Sequence, residues 1–254
     1  MEYVGGIREM SNELEKAKDM LDTISDKLKS YLDVRDNVLD NEYVQVLGDA
    51  SKIVGLLRTA NTFIAQKRFE AFLKGFKPNE VATEEQLAKL RDYIDNEEKA
   101  QFISDTLSKI LLSKSTTCCT ILGMIMYDVI ENKQDLSHDY LVCIDALMNF
   151  FDKDIENIKF VYKFFDTTKN GRFFATNTKF RKECKNNNID KSSMQLTIDK
   201  AINHQIINRT YEVDVNLDID IESPHFSSGE ADNEEYYSKS SPGKLLYRFI
   251  ETVS

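Results

Sequence analysis

The stretch Glu97–Asn132 holds the densest apolar content of the chain, and no charged residue falls between Ser115 and Tyr127. Cys118, Cys119, Ile121, Leu122, Met124, Ile125, Met126, Val129 and Ile130 leave almost no polar side on a helix drawn through it. A helix that is apolar all round is buried in protein or in lipid. The uncharged run is 13 residues long, whereas a bilayer span takes about 20. The run therefore predicts a core helix. Just before it, Phe102, Ile103, Leu107, Ile110 and Leu111 recur near the 3.6-residue period and predict an amphipathic helix packed beside it.

The rest of the first 165 residues follows the same period. Met10, Leu14, Ala17, Leu21, Ile24, Leu28 and Tyr31 alternate spacings of four and three, an a/d heptad over residues 8–32. Leu14, Leu21, Ile24 and Leu28 form either a seam for a second copy or partner, or a narrow stripe packed on the chain's own domain. A helical pattern runs from Tyr43 to Phe76, punctuated by Gly48 and Gly55 and ended by Gly75, Pro78 and Asn79. Thr83 and Gln86 have the spacing of a capping box for a helix to about Asp95. Ser137 precedes a helix over Asp139–Phe151, and Ile155–Phe165 is a further helical piece. With three prolines and nine glycines in 254 residues, long uninterrupted helices are expected.

After Phe165 the pattern changes. Asp166–Asn177 is turn-like, helices are expected over Thr178–Lys185 and Ser192–Ile207, and then the period becomes two. Val213, Val215, Leu217, Ile219 and Ile221 alternate with Glu212, Asp214, Asn216, Asp218, Asp220 and Glu222, which predicts a strand. Ser223–Glu235 reads as a polar loop, Tyr236–Lys239 as a return strand, and Pro242 suits the first turn of a last helix. The fold expected is mainly α: a multi-helix domain over residues 1–165 and a small α+β, winged-helix-like domain over residues 166–254.

Charge is divided along the chain. The net charge is −10, which disfavours whole-surface attraction to nucleic acid or to an anionic membrane. Residues 151–209 alone are basic, with 12 Lys and Arg against 7 Asp and Glu, while residues 210–254 carry 3 against 10. Cys118, Cys119, Cys143 and Cys184 show no CxxC spacing and fit buried reduced thiols, hence a cytoplasmic setting, better than a secreted disulfide framework. The N-terminus lacks the basic-then-apolar order of a signal peptide. Neither a membrane span nor a cofactor is expected.

The order IAQKRFEAFLKGF, LRDYIDNEEKAQFISDTLSKILLSKS, DYLVCIDALMNFF resembles a loosely defined set of uncharacterised helical proteins from bacterial and prophage genomes, some with a C-terminal winged-helix-like piece. The resemblance covers about residues 60–165. It implies a bacterial or phage accessory protein, with anti-phage defence or its counter-system as one setting, and it carries no functional residue.

No nucleotide or nucleophile motif is present: there is no GxxxxGK[ST], GxGxxG or GxSxG. Asp166–Asn177 begins like an EF-hand loop but ends in Asn177 where calcium requires a bidentate Glu. His138, His204 and His225 lack metal-ligand spacing. Two surfaces remain. The acidic strand, Glu212, Asp214, Asp218, Asp220 and Glu222, is either a solvated sheet face or a docking site for a basic protein partner. The basic helix pair, with Lys179, Arg181, Lys182, Lys185 and Lys191, offers a nucleic-acid alternative in which Lys191, Ser192, Ser193 and Gln195 read bases. An acidic wing would repel phosphate, so a non-enzymatic protein–protein function is the first expectation and a DNA-binding regulator the second.

Overall fold

A computed structural model describes residues 23–24, 26–28, 30–31, 63–76, 83–132, 136–216 and 230–253. The chain divides into two compact units, Met1–Asp152 with Val253–Ser254, and Lys153–Thr252. The division falls ahead of the boundary expected after residue 165.

The first unit contains α1 (Phe63–Gly75), α2 (Thr83–Tyr93), α3 (Glu97–Leu112), α4 (Thr116–Asn132) and α5 (His138–Asn149). α4 is the expected core helix: Cys118, Cys119, Ile121, Leu122 and Ile125 are fully buried. Two glycines let α1 and α4 approach through their backbones. A Cβ at Gly123 would stand 2.1 Å from the Phe72 carbonyl oxygen, and one at Gly75 would stand 1.8 Å from that of Thr120. Gly75, read from sequence as a helix terminator, thus also serves as a packing contact.

The break between α3 and α4 is made by serines. Ser113 Oγ donates to the Ser115 carbonyl at 3.0 Å, and Ser115 Oγ accepts from the Cys118 amide at 3.0 Å, supplying a partner to a free N-terminal N–H. Ser115 Oγ also donates to Asp152 at 2.5 Å. Burial works against the Asp152 carboxylate, but hydrogen bonds from Ser115 and Thr117 outweigh it and hold the group below the usual carboxylate range. Asn96 caps α3 by accepting from the Lys99 amide at 2.9 Å, a cap the sequence reading did not name. Ser137 sits at the N-cap of α5 as expected, but its side chain makes no capping bond. The side chains of Thr83 and Gln86, and the segment 43–62, lie outside the described residues.

The second unit runs α6 (Asp152–Asp166), β1 (Arg172–Phe174), α7 (Thr178–Asn186), α8 (Lys191–Asn203), β2 (Ile207–Asn216), β3 (Glu230–Lys239) and α9 (Ser241–Thr252). The strands form an antiparallel sheet in the order β1-β3-β2. Its core is aromatic: Phe164, Phe173 and Phe180 meet pairwise with ring centroids 4.7–5.0 Å apart. Tyr162 Oη and Ser240 Oγ both donate to the Ile206 carbonyl, at 2.5 and 2.7 Å. Gly243 leaves room for that junction, since a Cβ there would lie 1.7 Å from Tyr162 Oη. A buried polar network joins α6 to α8. Asp154 accepts from Thr197 Oγ1 at 2.7 Å and from Lys200 Nζ at 2.6 Å, and Asn157 Nδ2 donates to Thr197 Oγ1 and Ser193 Oγ at 3.0 and 3.2 Å.

Three sequence expectations change. β1 lies inside the stretch read as a turn, although the turn itself is present and ends at Gly171, whose φ of 62° suits glycine. β2 starts at Ile207 rather than at Glu212, and β3 starts at Glu230, inside the expected loop. Residues 217–229, with Leu217, Asp218, Ile219, Asp220, Ile221 and Glu222, lie outside the described residues.

Candidate functional site

β1 pairs with β3 only at Arg172↔Ser238, Phe173↔Tyr237 and Phe174↔Tyr236. β2 pairs with β3 without interruption from Ile207↔Lys239 to Asn216↔Glu230. Beyond Tyr236 the pair therefore stands as a two-stranded ribbon. By strand alternation, Arg209, Tyr211 and Val213 share one face, and Thr210 and Glu212 the other. Tyr211 is 55% exposed and Val213 59% exposed. A period-two pattern on a half-buried sheet would have put these residues inside; here they form an apolar row open to solvent. Leu196 on α8 is also 62% exposed. It falls off the buried stripe of Met194, Ile198 and Ala201, which is the signal that marks it in the sequence.

On the opposite face the register sets two like charges opposite each other, Glu212↔Glu234. Directly opposed like charges destabilise a strand pair. Among the described residues Arg172 answers them. Arg172 Nη1 donates to Glu212 Oε1 at 2.5 Å, and the guanidinium lies 4.4 Å from the centre of the Tyr236 ring. The bond from Arg172 holds the Glu212 carboxyl below its ordinary range. Tyr236 Oη donates to Glu234 at 2.8 Å, and burial together with these carboxylates pushes its phenol up to about 12.

The basic window divides into two groups. Lys200 is bonded to Asp154, and Arg209 bridges Asp199 at 3.2 Å and Glu235 at 3.0 Å, so both charges are matched within the unit. Lys179, Arg181, Lys182 and Lys185 on α7, and Lys191 at the start of α8, are exposed, and among the described residues none of them makes an ion pair. Ser192 is exposed, Ser193 is held by Asn157, and Gln195 donates to Asp199 at 3.1 Å. The proposed base-reading set is thus partly tied down by its own unit. Lys153, Lys159, Lys163 and Lys179 line an open hollow of about 600 Å³ with Phe160 and Phe164 beside them, and Glu156 and Glu183 enter it too.

The heptad residues are only partly described. Ile24 and Leu28 are fully buried within the single chain, and Lys27 Nζ donates to the Arg91 carbonyl at 2.9 Å. These two positions are therefore covered within the single chain. Leu14 and Leu21 lie outside the described residues.

All four cysteines are free and buried. Burial pushes the Cys119 and Cys184 thiols up, away from the thiolate form that reacts. Among the described residues no group of three His, Cys, Asp or Glu side chains is placed to hold a metal ion, and no helix is long and apolar enough to cross a membrane.

Neither a family model, nor a curated protein, nor a solved structure matches the chain.

Proposed function

We propose that this chain acts by protein–protein contact rather than by catalysis, and that the ribbon of β2 and β3 is the contact surface. The observation that carries this is the pairing of two exposed apolar side chains, Tyr211 and Val213, with the exposed carboxylate of Glu212 on the other side of the same strand. Exposed apolar side chains grouped together mark interaction sites. The second unit is read as a winged-helix-like module in which the wing serves a protein. Support comes from the order helix, strand, helix, helix, strand, strand, helix and from the sheet order β1-β3-β2. The setting that the resemblance implies, phage defence or counter-defence, tells where to look for the partner.

The second reading is nucleic-acid binding, favoured by the five unpaired cations at Lys179, Arg181, Lys182, Lys185 and Lys191. Against it, Glu212 and the residues paired with it would stand near phosphate if the wing approached DNA. Two assays separate the readings. A tagged full-length chain is used for capture from lysates of infected and uninfected bacteria, beside a Val213→Asp variant. A protein captured in stoichiometric amount by the parent and lost with Val213→Asp supports protein contact; equal capture by both sinks it. In a DNA shift assay, an association constant whose logarithm falls linearly with log salt would instead favour the cationic helices.

A further inference from the structure

We infer that β2 takes its partner by strand addition, and that the partner segment is extended and alternates basic with apolar residues. This rests on the ribbon being the protein-binding surface.

β2 is an outer strand, and among the described residues it pairs on one side only. It runs for ten residues with no bulge in its register and contains neither Pro nor Lys. Natural edge strands are usually blunted by such devices, because their unpaired N–H and C=O groups template another chain. Its charged residues are Arg209, held by Asp199 and Glu235, and carboxylates such as the exposed Glu212, and a free carboxylate selects a basic neighbour rather than blocking every one.

The charge then selects the occupant. A second copy pairing β2 with β2 about Glu212 would bring that carboxylate toward its own counterpart, adding to the repulsion already present at Glu212↔Glu234. Directly opposed residues on neighbouring strands have Cβ atoms about 5 Å apart. A Lys or Arg at that distance from Glu212 would relieve the repulsion that Arg172 answers only in part. Side chains of an added strand alternate between faces in step with β2. The residues between the basic ones therefore meet the row of Tyr211 and Val213, so they are apolar. Main-chain bonds then give affinity and alternate side chains give specificity, as in other strand-addition complexes.

The probe is a fluorescein-labelled peptide of about ten residues, matched to the length of β2 and alternating Lys with Val. Anisotropy is measured against the full-length chain. The controls are a Glu/Val peptide and a Lys/Val peptide N-methylated at alternate amides. Expected results are binding of the Lys/Val peptide alone, slower amide hydrogen exchange at residues 211–216 in the complex, and at least about tenfold weaker binding to Val213→Asp. Val213→Thr keeps a β-branched residue at the exposed position and is the variant of choice should Val213→Asp disturb the ribbon; it is expected to weaken binding less. Equal binding of the N-methylated peptide, or binding without change in exchange at 211–216, would mean adhesion by charge. That outcome overturns strand addition and leaves the protein-contact reading standing. No binding of the Lys/Val peptide overturns it too. A dimer in sedimentation that dissociates with Val213→Asp would make the occupant a second copy and overturn the stated chemistry. Unchanged capture of cellular partners by Val213→Asp is the separate result that removes the underlying reading.

Discussion

α4 and β2 are the two places where the chain is richest in apolar pattern, and they meet opposite fates. Along α4 almost no side is polar, so nearly any neighbour buries something, and Ile121, Leu122 and Ile125 end fully buried while Thr116 and Glu131 stay exposed. Along β2 the apolar residues fill one face only, and whether that face is covered depends on what lies over it. The third strand, β1, pairs with β3 no further than Tyr236, and on the ribbon beyond it Tyr211 and Val213 stand open to solvent. The lesson is that an all-round apolar pattern compels burial, while a one-sided pattern only permits it.

Paired truncations break or confirm this contrast most directly. Ile125→Ala in α4 is expected to cost about 3–4 kcal/mol, through lost transfer energy and a residual cavity, measured by urea unfolding of the full chain. A loss under about 1 kcal/mol would mean that α4 is not the packed core helix described here. Gly123→Ala should follow at about 2–3 kcal/mol, because the new Cβ meets the Phe72 carbonyl and backbone yields less than side chain. Neutrality there would mean that the α1–α4 approach is looser than 2.1 Å implies.

A pH experiment sharpens the same comparison. Asp152 has its folded pKa lowered by Ser115 and Thr117, so its contribution is fully present above the ordinary aspartate value of about 3.9 and is lost as pH falls through the lower folded value. Ser115→Ala should flatten the acid limb of the stability curve and leave the neutral limb's shape alone. Glu212 on the ribbon has a pKa shift of the same sign from Arg172, but it is exposed, so Glu212→Gln should change the acid limb less than Ser115→Ala does. An equal or greater change would show the ribbon to be as coupled to folding as the core. The smallest effect is expected for Val213→Ala, within about 0.5 kcal/mol in the free chain. A loss comparable to that of Ile125→Ala would show that Val213 is covered after all.

Much of the fold was legible because local chemistry repeats itself. The spacing of Phe102, Ile103, Leu107 and Ile110 marks α3, and the stripe Met194, Ile198 and Ala201 marks α8. Asn170-Gly171 marks the turn, and the apolar residues around Cys118, Cys119 and Cys143 mark buried thiols. β1 was not legible: three residues are too few to show a period, and its partners Tyr236 to Ser238 lie more than sixty positions later. Nor was the matching of Lys200 by Asp154 or of Arg209 by Asp199 and Glu235, so the basic window looked more available to DNA than it is.

The sequence by itself determined which residues share a face: the largely apolar surface of α4, the stripes of α3 and α8, the two rows of β2. Tertiary structure decided what each face meets. It covered Ile24 and Leu28 within the chain, where the heptad alone permitted a seam, and it left Tyr211 and Val213 uncovered, where alternation alone permitted a core. The reason is physical. A face is set by the periods of helix and strand, which are properties of neighbouring residues, whereas burial depends on contacts with residues far away in sequence, which no local period encodes.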